Sequence, residues 1–219
     1  MTRQLSNARR DEVARDAARL LRDGRAQDIH SAVRAALRGN PGADEVTAGM
    51  VREHARGLAL EELGASGYRQ HVAEVLERAE ETMTLLATQL GNSTSGWVGE
   101  TPVALIGRAA RGLVDADPVC RIRVVSDAPV GDIAAILVAA GVEEPSFSTM
   151  ETRFGRLDRL TFDDAGVETK ILRLPPAMRI PLHADLQSDR PTASVPAIDL
   201  VGVRRLLSAL RGDVASGSA

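Results

Sequence analysis

The sequence predicts an α/β fold of the α+β kind, with a helical N-terminal module packed against a sheet-bearing C-terminal domain. Two observations carry this expectation. Up to Leu90 the apolar residues recur at helical spacing, and after the Gly91–Gly96 stretch they fall into short runs at strand spacing. A third supports them: Gly, Asn, Asp and Pro clusters punctuate the chain where each run ends.

The first helix is expected over Arg9 to Arg22, with Val13, Ala17, Leu20 and Leu21 on one face and Asp23-Gly24 ending it. Asp28 is placed to cap a second helix carrying Ile29, Ala32, Val33, Ala36 and Leu37, closed by Gly39-Asn40-Pro41-Gly42. A third runs from about Asp44 to Leu63, stopped at Gly64-Ala65-Ser66-Gly67. The fourth has the clearest stripe: Val72, Val75, Leu76, Ala79, Met83, Leu86 and Leu90. These helices make a module of residues 1–91, followed by a flexible linker at 92–98.

Residues 99–212 form the second domain. Val103–Ile106 and Ile122–Val125 read as strands, Asp132–Ala140 as a helix, and Glu144–Met150, Leu157–Phe162 and Val167–Leu174 as further strands. Asp163-Asp164-Ala165-Gly166 is the expected hairpin turn, and Pro175-Pro176 ends the sheet pattern. Asp199 caps a last helix bearing Leu200, Val203, Leu206 and Leu207, and residues 213–219 are expected to be a disordered tail.

A net charge of −3 gives no global basic field toward nucleic acid, although the cations are almost all arginine and Lys170 is the only lysine. Tyr68, Trp97, Phe147, Phe154 and Phe162 are the only aromatics, too few for a base-stacking platform. Cys120 is the only cysteine, which excludes an internal disulfide and a cysteine-rich metal knuckle. The four histidines lack metal-site spacing, so no resident metal or cofactor is expected. With no signal-peptide pattern and no apolar run of roughly 20 residues, the expectation is a cytoplasmic protein without membrane contact.

The segment from Val103 to Ser126 carries the chemistry. A strand ends in Ile106-Gly107, an Arg111-Gly112 turn follows, and a second strand alternates Arg121 and Arg123 with Cys120, Ile122 and Val124. Strand alternation puts both guanidinium groups on one side. The layout resembles the nucleotidyltransferase superfamily that includes DNA polymerase beta and the minimal nucleotidyltransferases. In that family a strand ends in Gly-Ser, an Arg-Gly turn follows, and the next strand carries Asp-x-Asp to hold magnesium. The opening Arg10-Asp-Glu-Val-Ala-Arg-Asp-Ala-Ala-Arg-Leu-Leu, with Ser31-Ala-Val-Arg-Ala-Ala-Leu, is similar to that of uncharacterised bacterial members. The resemblance implies a mixed sheet in the second domain, with Gly107 letting backbone amides approach a phosphate. It also matches Glu168 to a third carboxylate. Arg108 replaces the serine, and Arg121-Ile122-Arg123 replaces the acidic pair.

Cations in place of metal ligands point to a degenerate, non-catalytic relative, or pseudoenzyme. In this reading Gly107, Arg108, Arg111, Arg121 and Arg123 bind a phosphate-bearing ligand, a nucleotide or nucleic acid. The same fold could instead receive a protein partner. The plainer alternative is a solvated strand face whose arginines pair with Glu168, Asp158 or Asp117. A second hypothesis is an active transferase using Asp115, Asp117 or Glu168 with magnesium. A third is a regulatory or scaffolding homodimer formed through the N-terminal helices, with a helix-turn-helix-like start and the Val72–Leu90 stripe as its seam.

Overall fold

The structure, a computed structural model, describes residues 2–26, 28–40, 46–90, 102–115, 118–188, 190 and 192–216. It has the α+β architecture that the change of period predicts, with five helices and a six-stranded mixed sheet among the described residues. Among those residues no helix is long and apolar enough to cross a membrane. The chain divides into two compact units, Met1–Tyr68 with Asp115–Asp117, and Arg69–Val114 with Pro118–Ala219. The division therefore falls inside the expected helical module rather than at 92–98, which lies outside the described residues.

In the first unit, α1 spans Thr2–Arg22, starting earlier than its apolar pattern, and α2 spans Ile29–Gly39. Asp28 caps α2 as expected: its carboxylate accepts from the Ser31 amide at 2.7 Å, and the Ser31 hydroxyl oxygen accepts from the Asp28 amide at 3.2 Å. Val13, Ala14, Ala17, Ala18, Ala32, Ala36 and Val51 form the core, with Leu20, Leu21, Ile29, Val33 and Leu37 half-buried around it. The alanines let helix backbones approach closely, so the smaller side chains are the ones fully enclosed.

Helix α3 spans Ala48–Leu90 and is interrupted at Gly64, whose φ of 69° and ψ of 170° leave the helical region. The glycine-rich stretch expected to close the third helix thus breaks the ladder at one residue, after which the helix resumes. All seven residues of the Val72–Leu90 stripe are buried, none more than 2% exposed. Its role differs from the expected dimer seam, because residues 69–90 belong to the sheet-bearing unit. A sheet face must be covered, and an apolar helix stripe covers it. The Cys120 thiol of the sheet reaches the Val75 carbonyl at 3.6 Å. The stripe is therefore used within the chain and is not available as an intermolecular seam.

The sheet contains β1 (Val103–Ile106), β2 (Val119–Val125), β3 (Ser146–Thr152), β4 (Gly155–Asp164), β5 (Val167–Leu174) and β6 (Ala197–Ile198). Their order is β3-β4-β5-β2-β1-β6, and the β2–β5 pair is parallel while the others are antiparallel. Helix α4 (Val130–Ala139) buries Ile133 and Leu137. The β4–β5 hairpin turns at Ala165-Gly166, with φ of 51° and 85°, within the expected four residues. One expectation fails toward the C-terminus. The sheet does not end at Pro175-Pro176, because β6 returns beside β1. Helix α5 spans Leu200–Ser216, and residues 217–219 lie outside the described residues. Asp199 accepts from the Gly202 amide at 2.8 Å, as a cap should. Arg204 and Arg211 tie α5 to Glu80 and Glu77 of α3 at 2.7 and 2.6 Å.

Burial pushes the Cys120 thiol up to about 12 from its ordinary 9.0. The group is an acid whose folded value lies above its unfolded one. Its contribution is complete below about pH 9 and is lost as pH rises toward 12. Native protein should therefore leave Cys120 unlabelled by a thiol reagent at pH 8. Stability should fall by up to roughly 1.4 kcal/mol per pH unit above pH 9, a slope that Cys120→Ala removes. Rapid native labelling, or the same slope in the variant, would contradict this placement.

Candidate functional site

Cross-strand partners share a face, so the register sorts the site residues directly. Arg121 pairs with Ile106 on one side and with Lys170 on the other; Lys170 pairs with Thr161, and Thr161 with Ser146. One row across the sheet thus reads Ile106, Arg121, Lys170, Thr161, Ser146. The row to one side contains Val119, Glu168 and Asp163. The row to the other contains Ala104, Arg123, Leu172, Arg159 and Ser148.

Arg121 and Arg123 do project from the same face, as alternation requires, but their surroundings differ. Arg121 is exposed, whereas Arg123 is only 3% exposed. The chain after β5 crosses this end of the face. Ile180, Leu182, Ala184 and Leu186 pack there with Ala104, Val125, Leu157, Leu172 and Leu174. Arg123 lies beneath that cover, where its Nη1 donates to the Leu182 and Ala184 carbonyls at 2.5 and 2.6 Å. Desolvation pushes its guanidinium down to about 10, a shift that Asp185 opposes. It stays charged at neutral pH and is committed to the fold. Its expected part in ligand binding is corrected accordingly.

Gly107 is corrected in role as well. Its φ is 81°, which suits glycine where the chain leaves β1, but its amide donates to the Pro196 carbonyl at 2.8 Å. That amide is not offered to a phosphate. A Cβ there would sit 3.9 Å from Arg121 Nη1, an ordinary contact, so the positive φ and not lack of room is what calls for glycine. The Arg-Gly turn is present as a short 3-10 segment, Ala109–Arg111, closed by Gly112 at φ 67°. Arg108 is half-buried in this turn and Arg111 is exposed.

The expected ion pair between Lys170 and Glu168 is present at 2.7 Å. Glu168 therefore faces a cation on its own strand. Asp158 pairs with Arg173 at 3.5 Å rather than with Arg121 or Arg123. Arg159 donates to Ser148 at 2.9 Å. Asp115 is half-buried and groups with the helical unit, while Asp117 lies outside the described residues. Among the described residues, no three His, Cys, Asp or Glu side chains gather in a metal-binding arrangement.

Away from the 180–186 segment the face presents Arg121, Lys170, Thr161 and Ser146 in one line, with Glu168 and Asp163 beside it; Arg121 and Ser146 are exposed, and Lys170 and Thr161 are half-buried. Arginine and lysine at directly paired positions repel, and the adjacent Glu168 offsets part of that cost. Thr161 and Ser146 escape a reading of the sequence because only the strand register brings them into line with Arg121. A groove of about 1230 Å³ lies elsewhere, lined by Arg78, Glu81, Leu85, Val138, Glu143 and Asp164 among others. Its largely acidic rim does not suit a phosphate. No protein-family model, curated protein or solved structure matches the chain.

Proposed function

We propose that this protein is a degenerate, non-catalytic nucleotidyltransferase-like protein that binds the phosphate of a nucleotide or nucleic acid on the sheet face around Arg121 and Lys170. One observation carries the reading: the parallel β2–β5 register sets Arg121 directly beside Lys170. Lys170 already holds Glu168 at 2.7 Å, and a phosphate that bridges Lys170 and Arg121 adds a second anion to this pair of cations. The guanidinium fork suits two phosphate oxygens, and the ammonium supplies a point charge. Thr161 extends the row with a hydroxyl at the sheet spacing of about 4.8 Å, while the Ser146 hydroxyl donates to the Thr161 carbonyl at 3.0 Å. Arginine where the resembled family places metal-binding acids fits a binder rather than a transferase.

The test is a calorimetric titration of the purified chain with ATP and, separately, with a short single-stranded oligonucleotide, at low salt. Arg121→Ala and Lys170→Ala should each weaken whichever ligand binds by about tenfold, and added salt should weaken the wild type. Absence of binding by both ligands at millimolar concentration, or unchanged affinity in both variants, would overturn the reading.

A further inference from the structure

The two edges of the sheet are finished differently. At one, β6 is only two residues long, a short edge that offers little to pair with. At the other, β3 continues for seven residues and is paired to β4 without a break from Ser146↔Thr161 to Thr152↔Gly155. Among the described residues no strand pairs with the outer side of β3. Its sequence, SFSTMET, has no proline, glycine, lysine or arginine, and its register with β4 has no bulge. Apart from the single charge of Glu151, the usual devices that stop an edge from recruiting another strand are missing from it. Phe147, 59% exposed, stands on this strand.

We infer that β3 pairs antiparallel with β3 of a second copy, joining two sheets across a two-fold axis near Ser148. An antiparallel strand related to itself by a two-fold satisfies its own unpaired backbone groups, so the surface is complementary to a copy of itself. With the axis at Ser148, Phe147 opposes Thr149 of the partner subunit, an aromatic and β-branched pair of the kind that stabilises sheets. The strand's only charge, Glu151, faces Arg156 of β4 at 3.8 Å. The axis keeps the two copies of Glu151 about 20 Å apart along the strands, so no like-charge contact arises. With the axis at Ser148 the five residues Ser146–Met150 pair between the copies, a small interface, and the association is accordingly weak and reversible.

Sedimentation velocity of the whole chain, from about 5 to about 300 µM, should show a shift from monomer to a discrete dimer. Phe147→Lys combined with Thr149→Lys, both at exposed positions, should remain monomeric with unchanged circular dichroism and melting temperature. Hydrogen exchange on the wild type provides a readout independent of the variant's folding: β3 amides should gain protection as concentration rises. A wild type that stays monomeric to about 300 µM would sink the inference. So would a folded double-lysine variant that dimerises as well as wild type, or β3 protection that does not change with concentration.

Discussion

Arg123→Ala is expected to lower the free energy of unfolding by about 3 kcal/mol, measured by urea denaturation. The loss arises because Leu182 and Ala184 carbonyls, satisfied by Arg123 Nη1, are left bare in a buried place, and a cavity replaces the aliphatic stem. The effect should be local before it is global. Hydrogen exchange should accelerate first over residues 180–186, the segment that Arg123 holds down over Leu157, Leu172 and Leu174. The folded fraction should keep its affinity for phosphate ligands, since Arg123 is buried beneath the 180–186 segment, away from Arg121 and Lys170. A change below about 0.5 kcal/mol, or a selective loss of ligand affinity with full stability, would contradict this division of labour.

The second large effect is expected at Leu76, the fully buried centre of the α3 stripe. Leu76→Ala should cost about 3 kcal/mol, while Leu63→Ala, at a position 45% exposed, should cost less than about 0.5 kcal/mol. The loss at Leu76 should not depend on protein concentration, because the stripe packs within the chain. A destabilisation that vanishes at high concentration would instead point to a seam between copies.

The helical stripe is legible because periodicity needs only local sequence: every residue from Val72 to Leu90 assigned to it is buried. What it covers is not legible. An amphipathic face reads the same whether it meets a helix or a sheet, so the Gly64–Gly67 break reads as a helix end and not as the boundary between two units at Tyr68. The same limit applies to the two arginines. Period two places them on one face, but the burial of Arg123 comes from a segment about sixty residues later. A signal is present there, since Ile180, Leu182, Ala184 and Leu186 alternate with Pro181, His183 and Asp185 beyond the prolines expected to end the sheet. Thr161 and Ser146 carry no comparable mark, because strand register is a property of pairing and not of either strand alone.

The most direct measurement of the central claim, that one arginine meets the ligand while the other holds the fold, is a side-chain nuclear magnetic resonance titration with pyrophosphate. The Arg121 Nε and Lys170 Nζ signals should move together along one binding curve, with Arg123 Nε unmoved throughout. Movement of Arg123 alongside them, or a stationary Arg121 while the anion binds elsewhere, would contradict the account.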